Sequence, residues 1–292
     1  MNNNDWSFKN KKDIRVKIKL GQGTFGPNKG NEITIQGLRT IVEISHGSGA
    51  QMSTMNLRIY GLSQDHMNSS TLTQFHRNFN IYNFIEVTAI NGSREDLVFI
   101  GTISNAWPDY TNAPDVCLFL SCYNGLSEKT QIDKTFQKNG DIDVDQTLKS
   151  LITKANQNWK YESYGVVAKL TNPHYQGSPY EQARQIAEDC HYSLVLDRDT
   201  VIITAPGFYR EGVVPLISYS TGMIGYPLLD AFGVSFRTIF NPEIRMMGHV
   251  TIESAIPAAN GRWLSLTISH KLESNKPNGA WMSNVRCVYH DF

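Results

Sequence analysis

The chain has no surplus of charge of either sign. Its 27 lysines and arginines are balanced by 27 aspartates and glutamates. The footprint of a nucleic-acid-binding protein is therefore absent at the level of the whole chain, although a neutral total leaves room for a local patch. Cysteine is scarce: Cys117, Cys122, Cys190 and Cys287 are all there is. Cys117 and Cys122 stand at an odd spacing, which places them on opposite faces of one strand. No second Cys or His pair at ligand spacing accompanies them, so they read as reduced, buried or half-buried thiols rather than a zinc site. That use of cysteine fits folding in a reducing cytoplasm. No uninterrupted apolar run approaches the ~20 residues of a bilayer-crossing helix, so no membrane insertion is expected. The segment Met1–Trp6 lacks the basic start and apolar stretch of a signal peptide, so the product is expected to stay in the cell that makes it unless it leaves inside a particle. No repeat at a solenoid period is visible. What is present is a 292-residue chain, 40% hydrophobic and 11% aromatic, enough for one large core or two to three smaller ones.

Patterning divides the chain into β-rich, α/β and again β-rich stretches. Residues 1–13 are polar and read as a flexible arm. From Ile14 the alternation is strict: Ile14, Val16, Ile18 and Leu20 share one face and Arg15, Lys17 and Lys19 the other, the mark of a half-buried strand. Further strands are expected at Glu32–Gln36, Thr40–Ser45, Thr54–Tyr60, Phe84–Ile90, Leu97–Asn105 and Val116–Tyr123, with a helix over Gln64–Arg77. At about Asp141 the period changes. Leu148, Leu151 and Ile152 recur at helical spacing after Asp145, a candidate cap. Ser178-Pro179-Tyr180-Glu181 combines an N-cap serine, a proline at the first helical position and a glutamate three residues after the cap. Strands at Tyr192–Leu196 and Thr200–Thr204 complete this insert. After Pro206-Gly207 short β-branched and aromatic segments return at Gly233–Phe240, Gly248–Ile252, Trp263–His270 and Met282–Tyr289.

Residues with possible chemistry each have a plainer reading. Gly21-Gln22-Gly23-Thr24-Phe25-Gly26 matches G-x-G-x-x-G, but Pro27 and a returning strand follow where a dinucleotide fold needs a helix. A kinase loop joins two strands, yet the chain has no H-R-D or D-F-G element, so a hairpin loop is expected. The eight histidines, His270 and His290 at strand ends among them, form no H-x-x-x-H or H-E-x-x-H pattern; one histidine per chain could still meet its copies on a threefold axis. Glu181 and Asp189, the nearest thing to a glycosidase pair, lie eight residues apart on one helix, roughly 12 Å by rise, beyond the ~6.5–9.5 Å of an inverting pair. Trp107, Trp159, Trp263 and Trp281 could stack on sugars, but three adjoin strands or turns, which favours core or inter-subunit packing. No G-x-S-x-G elbow is present. No catalytic residue, cofactor or metal is expected.

Several segments, in order, resemble the baseplate hub proteins of contractile-tailed bacteriophages, the tail hub or late control protein D-like family. They are Glu32-Ile-Thr-Ile-Gln-Gly-Leu-Arg39, Met55-Asn-Leu-Arg-Ile-Tyr-Gly-Leu-Ser63, Val98-Phe-Ile-Gly-Thr-Ile-Ser104 with Trp107, and the turn Asn112-Ala-Pro-Asp-Val116. Beyond the insert come Gly222-Met-Ile-Gly-Tyr-Pro227, Phe240-Asn-Pro-Glu-Ile-Arg245 and Asn260-Gly-Arg-Trp-Leu-Ser-Leu-Thr-Ile-Ser-His270, leading to Lys271-Leu-Glu-Ser274 and Trp281. The resemblance covers residues 14 to 292. It implies a mainly β protein in which two tube-like β-barrel domains, residues 14–140 and 206–292, flank a small α/β domain at 141–205. It further implies a homotrimer forming a pseudo-sixfold ring that joins the tail tube protein to the central spike protein. Contacts with other baseplate proteins and the tape-measure protein, and DNA only in passage through the lumen, go with that place in the virion tail. The chain is short beside the largest hubs, so fused lysozyme or spike domains are not expected. The segment Met223-Ile224-Gly225-Tyr226-Pro227 is the candidate subunit interface, a loop packed within one chain being its alternative. Two other classes stay open: a receptor- or glycan-binding β-protein of the tail, which would carry exposed aromatics in loops, and a hydrolase built on β-domains.

Overall fold

A computed structural model describes residues 11–25, 30–47, 51–71 and 82–289. The amino-terminal region is a set of antiparallel strands: β1 Lys12–Lys19, β2 Glu32–Ile35, β3 Thr40–His46, β4 Thr54–Tyr60, β5 Asn83–Asn91, β6 Arg94–Asp109 and β7 Cys117–Tyr123. The alternation in β1 does what its period dictates. Ile14, Val16 and Ile18 are buried, while Arg15 and Lys17 on the other face pair with Glu95 of β6, two strands away, and Glu86 of the adjacent β5. Burying each such side chain contributes about 1.5–3 kcal/mol, whereas the exposed cross-strand ion pairs add at most about 1 kcal/mol each. β1 already runs at Lys12 and Asp13, positions read from sequence as part of the arm, and Asp13 accepts a hydrogen bond from the Asn275 amide at 3.0 Å. The helix expected over Gln64–Arg77 is present as α1, Gln64–Ser70, with Ser63 as its cap; its continuation past Thr71 lies outside the described residues, as does the arm up to Asn10.

A single helical turn, α2 (Leu126–Lys129), and a short strand, β8 (Phe136–Gln137), precede the insert, which begins with β9 (Asp141–Asp143). Helix α3 spans Val144–Ala155, and its cap is Asp143 rather than the expected Asp145. The reason is local geometry: Asp143 is extended and its carboxylate accepts from the Gln146 amide at 2.9 Å, whereas Asp145, inside the first turn, accepts instead from the Tyr161 hydroxyl. Strands β10 (Lys160–Tyr164), β11 (Lys169–Thr171) and β12 (His174–Tyr175) lead to α4, Pro179–Asp189, where Ser178 caps the Glu181 amide as its sequence signature predicts. β13 (Ser193–Asp197) and β14 (Thr200–Thr204) close the insert. β10 and β14 are parallel and β13 and β14 antiparallel, a three-stranded mixed sheet. Leu148, Ile152, Ala183 and Ile186 from the two helices pack with Val201 and Ile203 in a core of their own.

The carboxy-terminal region holds β15 (Leu216–Ile217), β16 (Met223–Asp230), β17 (Gly233–Ile239), β18 (His249–Ile252), β19 (Gly261–Ser274) and β20 (Trp281–Val288). β19 is long enough to serve two neighbourhoods. Its first residues pair with β18, and Ile268–Ser274 pair with β3, so the ladder crosses from one β-rich region to the other. The expectation of two closed barrels is not what these ladders draw. They form one open sheet of 13 strands in the order β16-β17-β20-β19-β3-β4-β7-β6-β5-β1-β2, with β15 and β18 attached at β19. Side chains follow the same crossing, since Phe240, Leu272 and Trp281 join the core of the amino-terminal strands. A second core gathers Phe236, Met246, Val250, Trp263 and Val285. The protein is mainly β, with few helices.

Candidate subunit interface

The five residues singled out from sequence, Met223 to Pro227, do not form a loop. They begin β16, which sequence patterning missed because its alternation is broken. Met223 pairs with Thr238 and Ile224 with Arg237, but the next paired residue is Leu228, opposite Ser235. Gly225, Tyr226 and Pro227 thus stand against Phe236 alone, a bulge that bends the strand. Gly225 has φ +75, the left-handed region where a residue without Cβ fits best. Pro227, which cannot donate to a ladder, occupies the unpaired stretch. Met223 and Pro227 are buried; Ile224 and Tyr226 are exposed.

Among the described residues β16 pairs with β17 alone and ends the sheet. Its exposed apolar surface is wider than the sequence segment: Tyr226 is 69% exposed, Leu228 72% and Phe232 72%, with Leu229 and Tyr219 beside them. Two recesses adjoin it. One, of about 470 Å³, is lined by Ile224, Leu228, Phe236, Ile268 and Val285; the other, of about 370 Å³, lies between Tyr219, Met223, Tyr226 and Ala255. An edge strand with bare apolar side chains is a template for another chain unless something covers it. Leu228, Leu229 and Phe232 were missed from sequence, where the run Tyr226-Pro-Leu-Leu229 followed by Phe232 was the available sign.

The β16–β17 turn that carries this edge is tightly built. The Asp230 carboxylate accepts from the Phe232 and Gly233 amides at 2.8 and 3.0 Å and pairs with Arg286 at 2.9 Å. At Gly233 a Cβ would stand 2.1 Å from the Cys287 carbonyl oxygen of β20. Backbone cannot yield as a flexible side chain does, so Gly233→Ala is expected to cost about 1–3 kcal/mol. A urea midpoint unchanged by that substitution would contradict the close approach.

Other candidates separate. Glu181 pairs with Arg184 and Lys129, and Asp189 accepts from the Tyr175 hydroxyl, so both are engaged in holding the insert rather than facing each other. Gly26 of the glycine-rich loop lies outside the described residues, and β2 follows it as expected. Burial pushes the thiols of Cys122 and Cys287 up, which disfavours the reactive thiolate. Trp263 and Trp281 are buried, Trp159 packs edge-on to Tyr180, and Trp107 lies against Phe119 on β7. Among the described residues no three His, Cys, Asp or Glu side chains are grouped to hold a metal, and no helix is long and apolar enough to cross a membrane.

Two histidines do meet, although no ligand spacing in the sequence joins them. His270 lies within β19 rather than at a strand end, and its ring packs edge-on to that of His46 with centroids 5.5 Å apart. Both are buried at the β3–β19 junction, with Nδ1 of His46 3.1 Å from the Ser53 hydroxyl and Nδ1 of His270 2.8 Å from that of Ser283. Burial pulls the His46 imidazole down to about 4 and that of His270 well below its ordinary value. His290 lies outside the described residues. Nearby, Asp197 ends β13 and accepts from Arg210 at 2.8 Å and Arg245 at 2.7 Å, with Arg198 3.8 Å away. Burial alone would raise its carboxyl; the guanidinium groups of Arg198, Arg245 and Arg210 outweigh that and hold it far below the usual carboxylate range. Arg210 also forms a two-pronged pair with Glu162, tying the insert to the carboxy-terminal region.

Comparison with known proteins agrees with this architecture. Similar solved structures include the 43 kDa tail protein of prophage MuSo2 from Shewanella oneidensis, at 11% identity over 95% of this chain and 97% of that one, with a TM-score of 0.60. The tail protein from Neisseria meningitidis MC58 is similar at 10% identity, covering 94% and 96% with a TM-score of 0.59. The E. coli protein c3393, a component of the type VI secretion system described as similar to T4 tail proteins gp27 and gp5, matches at 7% identity over 93% and 76%, with a TM-score of 0.58. At such identities these likenesses show a shared fold alone. No curated protein matches the chain. The family model described as Baseplate hub gp41 matches residues 14–283, and the chain therefore belongs to the phage baseplate hub gp41 family.

Proposed function

We propose that this protein is the structural hub of a contractile phage tail, a homotrimer whose ring joins the tail tube to the central spike. In this reading residues 14–140 and 206–292 are the two tube-forming domains of each copy, so that three chains present six similar units. The ring then matches a sixfold tube on one side and a threefold spike on the other. The tape-measure protein and the other baseplate proteins are its remaining neighbours, DNA passes through the lumen without being read, and the subunit carries out no reaction. It is made in the host cytoplasm and leaves in the virion.

The observation that carries the proposal is the match of residues 14–283 to the baseplate hub family; the β16 edge, with its exposed Tyr226, Leu228 and Phe232, is the surface proposed for the contact between copies. Closed rings protect such edges with neighbouring subunits. Monomers in dilute solution are compatible with this, because assembly adds stability by mass action and a ring can close only against its neighbours. Images of the assembled tail test the arrangement: three copies around the axis above the spike are expected, and six copies, or a place at the fibre tips, would overturn it. Tyr226→Asp tests the edge. Tyr226 is mostly solvent-exposed in the single chain, so the isolated variant should keep its stability within about 0.5 kcal/mol. Tail assembly should nonetheless fall sharply, since a charge would be placed in a desolvated contact. Normal assembly of that variant would exclude the segment as an interface while leaving the hub reading in place.

A further inference from the structure

A cleft of about 630 Å³ opens where β6, the insert and the segment after β14 meet. It gathers arginines from distant parts of the chain: Arg94 from β6, Arg198 from the β13–β14 turn, and Arg210, Arg245 and Arg262 from the carboxy-terminal region. Most are already engaged. Arg94 pairs with Asp96 and Glu243, Arg210 with Glu162 and Asp197, and Arg245 with Asp197.

Arg198 differs. It is 6% exposed, yet its guanidinium makes one long hydrogen bond, 3.4 Å to the Pro242 carbonyl, and its contact with Asp197 is 3.8 Å. Among the described residues its Nε has no hydrogen-bond partner. A guanidinium carries five donors in a fixed fork, and buried donors left unmet are costly. The backbone at Arg198 is held at φ +59, a conformation uncommon for a residue with a side chain, while its carbonyl accepts from the Asn124 amide at 2.7 Å. Arg262 has capacity as well. It lies over the Tyr209 ring and 3.2 Å from Nδ1 of His249, and no carboxylate among the described residues pairs with it. Asp96, Glu162 and Glu243 of the lining are ion-paired, whereas exposed Glu211 pairs with no cation among the described residues and so competes with any bound anion.

We propose that this cleft is a binding site for a small oxyanion, a phosphate or a carboxylate, whose oxygens accept from Arg198 and Arg262. The planar donor fork of arginine suits both groups. The test is isothermal titration of the full chain with inorganic phosphate and, separately, with acetate, at ionic strength held constant with chloride. Saturable binding of either probe is expected; binding of phosphate alone identifies a tetrahedral ligand, and comparable binding of acetate a carboxylate. Arg262→Gln and Arg198→Gln should each weaken binding about tenfold, the loss of a charge-assisted pair. Glu211→Gln should tighten it, a change of sign that damage to the fold would not produce. Should Arg198→Gln fail to fold, Arg262→Gln and Glu211→Gln, both at exposed positions, decide the matter. No saturable heat up to about 10 mM of either probe, or binding indifferent to both exposed substitutions, would overturn the proposal.

Discussion

Replacing Asp197 with alanine should lower the stability of the chain by about 3–5 kcal/mol, the range for removing one partner of a buried ion pair. The magnitude follows from what remains. The Asp197 side chain is 3% exposed and is shared by Arg198, Arg210 and Arg245. Without it Arg210 keeps Glu162, but Arg245 and the deeply buried Arg198 lose their nearest counter-charge. Asp197→Asn keeps the shape and some hydrogen bonding but not the charge, so it should lose most of the same stability. An exposed pair gives the contrast. Lys271 and Glu43, side by side on β19 and β3, are 45% and 41% exposed. Glu43→Ala should cost less than about 1 kcal/mol, because solvent screens both groups. Urea unfolding of the three variants checks this. If Asp197→Asn lost no more than Glu43→Ala, the cluster would not depend on its buried charge.

Acidification should begin to weaken the fold above the range in which carboxylates titrate. His46 is about 6.5 when exposed in the unfolded chain and about 4 in the folded one. Above pH 6.5 both states hold it neutral and it contributes no pH dependence. As pH falls from about 6.5 to about 4 the unfolded chain takes up a proton that the folded chain refuses, which favours unfolding by about 3 kcal/mol across that window. His270 is shifted in the same direction and adds to the loss. Asp197 acts lower down: its depressed value gives stability that is present above the ordinary carboxylate range and lost only as pH falls toward its folded value. Denaturant midpoints should therefore drop progressively between pH about 6.5 and about 4, and His46→Gln together with His270→Gln should flatten that drop. A wild-type midpoint constant across the window would show that the pair is not held neutral.

The strands were legible where their faces differ. β4 spans Thr54–Tyr60 as its alternation predicts, and β3 departs from the expected range by one residue at one end. The α4 cap was equally legible, since Ser178, Pro179 and Glu181 interact within a single turn. Harder cases have identifiable causes. β16 escaped because three bulge residues interrupt its period, leaving its apolar residues without a face to share. The cap of α3 was misplaced by two residues because Asp143 and Asp145 are chemically alike, and only backbone direction distinguishes a cap from a first-turn residue.

By itself the sequence determined the β, α/β, β order, the half-buried faces and the helix start at Ser178, because each depends on neighbours a few positions apart along one backbone. Which regions share a sheet was decided by tertiary structure. The Lys271–Glu43 pair, like the ladder around it, joins residues 228 positions apart, and no local spacing encodes such a partner. The same holds for the meeting of His46 with His270 and for the gathering of three arginines on Asp197. Burial makes those groups consequential, and burial arises only when strands remote in sequence exclude water from the space between them.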